Sequence, residues 1–451
     1  MCNRERYMTG RWSPRKIAGI AISAMAMLTI AGPALPQLAD EIGGAGIPIL
    51  QLKAIVGLNN TGIGNQGAGG VQTFFSFDIS WVDSQLGKYY LADRSNKSID
   101  VIDTTTNQLT QFVNRGFAGF TGNNDTSGPD GLLTVHQPNG VVELWVGDTG
   151  STTGQVWVLD ANNPGIVLSG FPNPIPIGKG GKTRADELCF NPRDRVIIIT
   201  SPAEDPPFIT FISTDTHTVI GYLEFPQATN GLEQCSWSPA IGKFLQPVPE
   251  VNGPGNDSAA GAIAVVDTRN MTIDQLLMVP LSACAGPQGT AIGPGFQLML
   301  GCNAAFPLAT STTPAGPRNT AIIDQRNGAV LSVLANLGGL DEVWFNPGDG
   351  HYYGAFSGGP LAPAPATVQG PATLGVIDAS SQSLDQLVPT LNIPAVTTGP
   401  AASQHPAGTA HSVAANSKNN HVLMPLAANN VFENCLQGCI GVFGRSDNDK
   451  D

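Results

Sequence analysis

Charged residues are scarce in this sequence, and basic residues are scarcer than acidic ones. Of its 451 residues only 13% are charged, with 22 Lys and Arg against 35 Asp and Glu, so the formal net charge is −13. A surface of this sign repels phosphate backbones, and no basic stripe offsets it. The composition therefore argues against a nucleic acid partner and leaves cations, neutral small molecules and other proteins open.

Well-known catalytic motifs are also missing. The chain has no Gly-x-Ser-x-Gly nucleophile elbow, no P-loop, no His-Glu-x-x-His helix and no Cys-x-x-Cys-His haem site. These absences remove the most recognisable hydrolase, nucleotide-binding and haem-binding classes. Any chemistry must therefore be inferred from the places where the fold brings polar side chains together.

Only one long apolar run is present, and it lies at the amino end. Residues 17–35 are mostly apolar, and they follow a segment that carries five basic residues. This order is typical of a secretory signal peptide. The run contains Gly32 and Pro33 and no second run follows, so a membrane anchor is the weaker interpretation. We expect residues 1–39 to be cleaved near Ala34 or Ala39, leaving a secreted or periplasmic protein without an integral membrane segment.

Cysteine is infrequent, with seven residues in all. Cys2 lies in the predicted leader, and an even number in an exported chain indicates three disulfides. Short separations favour pairing of Cys435 with Cys439 and of Cys284 with Cys302. These two pairs leave Cys189 for Cys235. A metal site formed by cysteines is the alternative.

Glycine and proline, in contrast, are abundant, with 54 and 35 residues, which fits many short strands joined by turns. Seven similar segments recur roughly every fifty residues, the period of propeller blades. In each, an acidic or amide-bearing stretch is followed by an apolar stretch and a tight turn. Their polar members are Asp78, Asp130, Asp186, Glu187, Glu233, Gln234, Gln288, Asp341, Glu342 and His411. The spacing predicts an all-β fold, a seven-bladed β-propeller.

The two chain ends indicate how the ring closes. The last repeat stops after its third strand at 441–443, while a strand-like segment without a partner lies at 48–56. An N-terminal strand that completes the last blade would close the ring and protect its sheet edges. We therefore assign residues 40–445 to the propeller and expect residues 446–451 to be a disordered tail.

One pair of strands resembles a known group of propellers. Residues 89–93 read Tyr-Tyr-Leu-Ala-Asp and residues 98–103 read Ser-Ile-Asp-Val-Ile-Asp. This pattern resembles the YVTN-type and quinoprotein-like seven-bladed propellers over essentially the whole mature chain. The resemblance implies the fold but no single activity, because its members include lactonase-like hydrolases, surface proteins and scaffolds.

The loops predict which face carries the site. Turns within strand pairs are short on one face, whereas the other face carries six long loops, at 114–129, 170–185, 251–261, 303–319, 357–373 and 392–408. Insertions concentrated on one face of a repeat array mark the binding side. The seven polar segments begin the innermost strands, so we expect them to surround the axis on this long-loop face.

The residues named at this face define the candidate site. We assign ligand binding to Asp130, Gln234, Gln288 and Asp341. Clustered carboxylates need a cation or paired donors, and Ca²⁺, Mg²⁺, Mn²⁺ or Zn²⁺ would serve. Glu187, Glu342 and His411 are the candidate metal ligands, and the candidate catalytic groups are His411, His405, Asp186 and Glu233. The alternative is that these acids only cap strands and turns.

Three functions follow from this arrangement. The first is an exported propeller that binds a small ligand, a cation or a protein partner at the acidic pocket. The second is a metal-dependent hydrolase or lyase, lactonase-like, that uses the same pocket. The third is a structural envelope or adhesion scaffold. Lys182, Arg184 and Arg318 lie on the same loops and either bind an anionic group or are solvated surface charges.

Overall fold

The computed structural model describes residues 50–58, 76–303, 319–335, 337–358, 373–390, 411–427, 432, 434–435 and 438–445. The strands in these ranges form seven four-stranded antiparallel sheets arranged as blades around an axis. The prediction of seven blades is confirmed.

In chain order the strands of blades 1 to 3 are β2 Ser80–Asp83, β3 Lys88–Asp93, β4 Ser98–Asp103, β5 Gln108–Val113, β6 Leu132–His136, β7 Val142–Asp148, β8 Gln155–Asp160, β9 Ile175–Pro176, β10 Leu188–Asn191, β11 Val196–Ser201, β12 Phe208–Ser213 and β13 Thr218–Glu224.

Blades 4 to 7 repeat this pattern, with the innermost strand first in each blade. Their strands are β14 Ser236–Ser238, β15 Lys243–Val248, β16 Ala262–Asp267, β17 Thr272–Met278, β18 Pro287–Ile292, β19 Gln297–Cys302, β20 Asn319–Asp324, β21 Val330–Ala335, β22 Gly338–Asn346, β23 His351–Gly358, β24 Thr373–Asp378, β25 Ser383–Pro389, β26 Ala414–Asn416, β27 His421–Leu426 and β28 Cys439–Gly444. A short 3-10 helix, Asn124–Thr126, precedes blade 2.

The turn between the third and fourth strands follows from one aspartate. In blade 1 the Asp103 carboxylate accepts hydrogen bonds from the backbone N–H groups of Thr105 (2.9 Å) and Thr106 (2.8 Å). Asn107 then takes a left-handed conformation with φ of 55°, which Asn tolerates better than most residues. Asp267 forms the same kind of turn in blade 4. These acids at the third-strand ends are therefore structural.

The amino-terminal strand closes the ring. Strand β1, Gln51–Gly57, pairs antiparallel with β28 in a register that runs from Gln51 opposite Gly444 to Gly57 opposite Cys439. It forms the outer edge of blade 7, whose order is β1-β28-β27-β26. The predicted closure is confirmed, because β1 overlaps most of the segment 48–56 that was expected to complete the last blade.

The core consists of apolar layers between neighbouring blades. Tyr89 and Leu91 of blade 1, for example, are fully buried against Leu423 and Val442 of blade 7. Each blade thus covers the apolar face of the next one, which is why a single chain of this length forms one ring. Within the described ranges, no helix combines the length and apolarity that a membrane crossing requires.

All three predicted disulfides are present. Cys435 pairs with Cys439, and Cys284 pairs with Cys302. Cys189 pairs with Cys235, with a Cα–Cα distance of 5.9 Å, and this bond joins the inner strand of blade 3 to the residue before β14 in blade 4. Disulfides persist in oxidising compartments, so the three bonds are consistent with an extracellular protein.

The long-loop face is described in part. The loops at 114–129, 170–185 and 251–261 lie within the described ranges. Most of the loops at 303–319, 357–373 and 392–408 lies outside them, and so do His405 and Arg318.

Candidate functional site

The first polar residues of the seven segments are Asp78, Asp130, Asp186, Glu233, Gln288, Asp341 and His411. Ion pairs bring several of these side chains together between neighbouring blades. His411 of blade 7 contacts both neighbouring blades: its Nε2 lies 2.7 Å from Asp78 Oδ1 and its Nδ1 lies 2.8 Å from Asp341 Oδ2. Side chains from blades 6, 7 and 1 thus meet at one point.

Two arginines form ion pairs with the neighbouring acids. Arg94, in the loop between β3 and β4, is almost fully buried; its Nε donates to Asp130 Oδ1 at 2.7 Å, and its Nη2 contacts both Asp130 and Asp78. Arg184 Nη2 lies 2.8 Å from Asp186 Oδ2. Arg184 is therefore an axial residue whose side chain is largely shielded from solvent. Lys182, two residues earlier, is exposed.

In blade 6 the second residue of the segment, Glu342, turns toward blade 7. Glu342 Oε2 accepts a hydrogen bond from Ser412 of blade 7, and Ser412 Oγ lies 2.7 Å from Ser80 Oγ of blade 1. Glu187 is buried, and its backbone N–H donates to Thr200 Oγ1 at 3.0 Å. The alternation of side chains along a strand explains this division of the polar set into two groups.

Opposite charges fix the ionisation of Asp78 and His411. Burial alone would raise the pKa of Asp78, but the Arg94 guanidinium and the His411 hydrogen bond outweigh it and hold the pKa well below its ordinary value. Burial likewise opposes the charged form of His411, yet Asp341 and Asp78 raise its pKa well above the ordinary value. His411 is therefore an imidazolium whose two N–H groups donate to two carboxylates.

The other axial acids shift in the opposite direction. Burial raises the pKa of Asp186 to about 6, although Arg184 opposes the shift. Burial also raises the pKa values of Asp130, Glu187, Glu233 and Glu342, and neighbouring carboxylates raise them further. The axial acids outnumber Arg94, Arg184 and His411, so internal cations do not neutralise the whole set.

Several buried polar atoms at the axis have no hydrogen-bond partner among the described residues. Four are oxygens and one is a nitrogen: Asp130 Oδ2, Asp186 Oδ1, Gln234 Oε1, Glu342 Oε1 and Arg184 Nε. Buried polar groups in folded proteins are almost always satisfied. A ligand that carries both hydrogen-bond donors and an acceptor satisfies these oxygens and this nitrogen together.

The acidic groups also come close enough to hold a metal ion. One group is Asp78, Glu342 and His411, and another is Asp78, Asp130 and Asp186; in each, the potential ligand atoms lie within 4.8 Å of one another. Among the described residues, Glu342 and His411 are thus grouped with Asp78, and Glu187 is in neither set. In both groups, arginine or histidine N–H groups already contact the carboxylates.

The remaining predicted residues are placed as follows. Glu233, Gln288 and Asp341 are half-buried, and the Glu233 backbone carbonyl accepts a hydrogen bond from Gln246 Nε2 at 2.7 Å. Arg94 was missed, although it follows directly after a second strand on the long-loop face. Its position directly after Asp93, in the four-residue loop between β3 and β4, is the one feature of the sequence that points to it.

Comparison with known proteins identifies the fold and nothing finer. No protein-family model and no curated protein matches the chain. The structure is similar to a chain in the crystal structure of a mitotic checkpoint complex, with a TM-score of 0.52, 12% identity, and coverage of 94% of this chain and 99% of that one. It is also similar to the WD40 β-propeller domain of Doa1, with a TM-score of 0.53, 13% identity, and coverage of 88% and 98%.

The chain is a seven-bladed β-propeller with WD40 propellers among its structural neighbours. At 12% and 13% identity the likeness concerns the path of the backbone alone. The function has to be argued from the axial residues.

Proposed function

We propose that this propeller binds a small polar ligand at the axial mouth of its long-loop face. The observation that carries the proposal is the set of buried, unpartnered atoms of both kinds, among them Asp130 Oδ2, Asp186 Oδ1 and Arg184 Nε. An unsatisfied buried group costs about 1–3 kcal/mol, so a ligand that satisfies several of them gains affinity from each. Asp130, Gln234, Gln288 and Asp341 are the ligand-binding residues in this proposal.

The chemistry of the site specifies the kind of ligand. Unmatched carboxylate oxygens require N–H or O–H donors, and an ammonium group satisfies them best because it also supplies positive charge. Arg184 Nε requires an acceptor, which a bare metal ion does not have. A compound that carries an amine or several hydroxyls together with an acceptor oxygen fits both requirements.

Thermal-shift and calorimetric titrations of the purified protein test the proposal. The probes are free amino acids, small diamines and polyols, each at matched ionic strength. We expect at least one class to bind, and we expect Asp130→Asn and Asp186→Asn each to weaken that binding by about ten- to a hundredfold, as loss of a charge-assisted hydrogen bond does.

Asp194→Asn is the matched control. Asp194 lies in the turn between β10 and β11 on the opposite face of blade 3, where it pairs with Arg193 and Arg269. The Asp194→Asn substitution removes one carboxylate, as the two axial substitutions do, but alters no axial residue. The ligand affinity of this variant should therefore equal that of the unmodified protein. Equal binding by all four proteins, or no binding of any probe, would refute the ligand site and leave the scaffold or protein-partner hypothesis.

A metal-dependent hydrolase or lyase is the second candidate. It is favoured by the approach of Asp78, Glu342 and His411 to within 4.8 Å of one another. The proposed metal ligands are Glu187, Glu342 and His411, and His405, Asp186 or Glu233 is the proposed base. Against it, both His411 nitrogens already contact carboxylates, so an ion such as Ca²⁺, Mg²⁺, Mn²⁺ or Zn²⁺ would have to displace Asp78 or Asp341 from the imidazole.

Metal analysis and substrate turnover test this candidate. A stoichiometric ion that is lost in Glu342→Gln, together with lactone or ester hydrolysis that is lost in His411→Ala, would establish it. Turnover that survives chelation or persists in His411→Ala would rule out the assigned roles.

The location and family of the protein belong to the same proposal. We infer that residues 1–39 are a cleaved signal peptide, that the mature chain is secreted or periplasmic, and that it is a member of the YVTN-type or quinoprotein-like propellers. The three disulfides support an oxidising compartment. Amino-terminal sequencing of the exported protein tests the cleavage, and an intact Met1 on a cell-associated chain would contradict it.

A further inference from the structure

Blade 1 contains a second acidic group, separate from the axial ring. In the β3–β4 hairpin, Asp93 lies opposite Ser98, and Leu91 lies opposite Asp100. Residues directly opposite share a face of the sheet, as do residues two apart along a strand. Asp93, Ser98 and Asp100 therefore lie on one face, next to the loop that contains Asn96.

These four residues are almost completely removed from solvent. Asp93 and Asp100 have 0% of their surface exposed, Ser98 has 2% and Asn96 has 5%. The backbone N–H and the side-chain amide of Asn96 both donate to Asp93, and Ser98 Oγ donates to Asp100 Oδ1 at 2.9 Å. Two carboxyl groups are thus held together at the end of one hairpin.

In the described part of the chain the group has no cationic partner, and its hydrogen-bond donors leave two oxygens without a partner. Among the described residues neither Asp93 nor Asp100 forms an ion pair, because the adjacent Arg94 is bound to Asp78 and Asp130. Asp100 Oδ2 and Asn96 Oδ1 are buried oxygens without a partner. Burial raises the pKa of Asp93 to about 6, and burial together with the neighbouring Asp93 raises that of Asp100.

In blade 2 the side chains at the same positions satisfy the carboxylate by hydrogen bonds within the protein. Asp148 occupies the position of Asp93, Gln155 that of Ser98, and Trp157 that of Asp100. Gln155 Nε2 and Trp157 Nε1 donate to Asp148 at 3.1 and 3.3 Å, and both Asp148 oxygens are partnered. Where blade 2 has an indole donor, blade 1 has a second carboxyl group.

We propose that Asp93, Asn96, Ser98 and Asp100 form a binding site for a hard divalent cation of the Ca²⁺ class, independent of the axial pocket. All four offer oxygen ligands, which Ca²⁺ prefers. Two carboxylates match the charge of one divalent ion, and the two unpartnered oxygens receive a partner. Two buried carboxyl groups need either a proton or a cation to compensate their charge, and a divalent cation supplies that compensation for both at once.

The position of the site gives the ion a structural role. Tyr89, Leu91 and Ile102 lie on the same face of blade 1 and pack against Ala414 and Leu423 of blade 7. An ion here rigidifies the face of blade 1 that meets the last blade. Its binding therefore stabilises the junction at which the ring closes.

Isothermal titration with CaCl₂ after exhaustive chelation is the direct test, with thermal unfolding as a second readout. We expect one tightly bound Ca²⁺ and a melting temperature that rises with its concentration, as ligand linkage requires. Asp100→Asn should weaken Ca²⁺ affinity at least about tenfold, since outer-shell changes alone cost this much. Asp148→Asn, at the matching position of blade 2, should leave the affinity unchanged.

The double variant Asp130→Asn/Asp186→Asn separates this site from the axial one. Ca²⁺ binding that persists in the double variant and is lost in Asp100→Asn supports the proposal. Ca²⁺ binding lost in the double variant but retained in Asp100→Asn assigns the ion to the axis and overturns it. No Ca²⁺ binding to the full chain also overturns it, and a proton shared between Asp93 and Asp100 then explains the burial.

Discussion

At the scale of single residues, the axial site depends on three cations placed among carboxylates. Arg94 and His411 lower the pKa of Asp78, whereas Asp186 retains a raised pKa beside Arg184. One ring thus contains an acid whose pKa is lowered and another whose pKa is raised to about 6. The sequence predicted the acids, because they repeat with the blades, but not Arg94, because a single arginine in one loop has no counterpart in the other repeats.

His411 should stabilise the fold in a pH-dependent manner. Its pKa is raised in the folded state, so its contribution is fully present below about pH 6.5, the unfolded value, and disappears as pH rises through the folded value. His411→Gln should lower the free energy of unfolding by about 2 kcal/mol or more at pH 6, where two charge-assisted hydrogen bonds are lost. Urea denaturation at intervals from pH 6 upward measures the deficit, and a deficit that does not shrink as pH rises would contradict this account.

Asp186 should change stability in the same direction as His411, but over a lower pH range. Its pKa rises from 3.8 to about 6 on folding, so the folded state binds more protons than the unfolded state between those values and stability falls as pH increases through this window. Asp186→Asn should remove part of that slope. Urea denaturation at intervals from pH 4 to pH 7 measures it, with Asp194→Asn as the control. A slope that is unchanged in Asp186→Asn would show that Asp186 is ionised throughout.

At the scale of strands and turns, local chemistry determined most of what could be predicted. The local signals are the Asp residues that recur before turns, the Gly and Pro residues between strands, and the separations of the cysteines. The strands, the turns and all three disulfides followed from these signals. Which polar residues meet across the axis is not local. The pairing of His411 with Asp78 joins residues at opposite ends of the chain, and only the closed ring specifies it.

The disulfides should differ in their contribution to stability. Cys189 and Cys235 are 46 residues apart and join two blades, whereas Cys435 and Cys439 are 4 apart. In the chain-entropy model, closing these loops stabilises by roughly 4 and 2 kcal/mol respectively. Replacing each pair with alanines and comparing the free energies of unfolding in urea tests the order. A larger loss for the short loop would show that local strain or packing, rather than chain entropy, dominates.

At the scale of the whole molecule, closure of the ring by β1 holds blades 1 and 7 together. Leu50, Val56 and Leu58 are buried in the layers that involve blade 7. Burial of each such side chain contributes about 1.5–3 kcal/mol, and loss of β1 also exposes the edge of β28.

Deletion of residues 1–57 should therefore destabilise the propeller by several times that amount and cause self-association through the open edge. Light scattering and urea denaturation measure both effects. Deletion of residues 1–39, which leaves β1 in place, is the control and should yield a monomer of unchanged stability. A fully stable monomer after the longer deletion would show that blade 7 needs only three strands.

The pairing of β1 with β28 also determines when folding can finish. The first strand to emerge during synthesis pairs with the last, so it has no sheet partner until the ribosome has released nearly the whole chain. Completion of the ring is therefore the last pairing event, and it occurs only when both ends of the propeller are available.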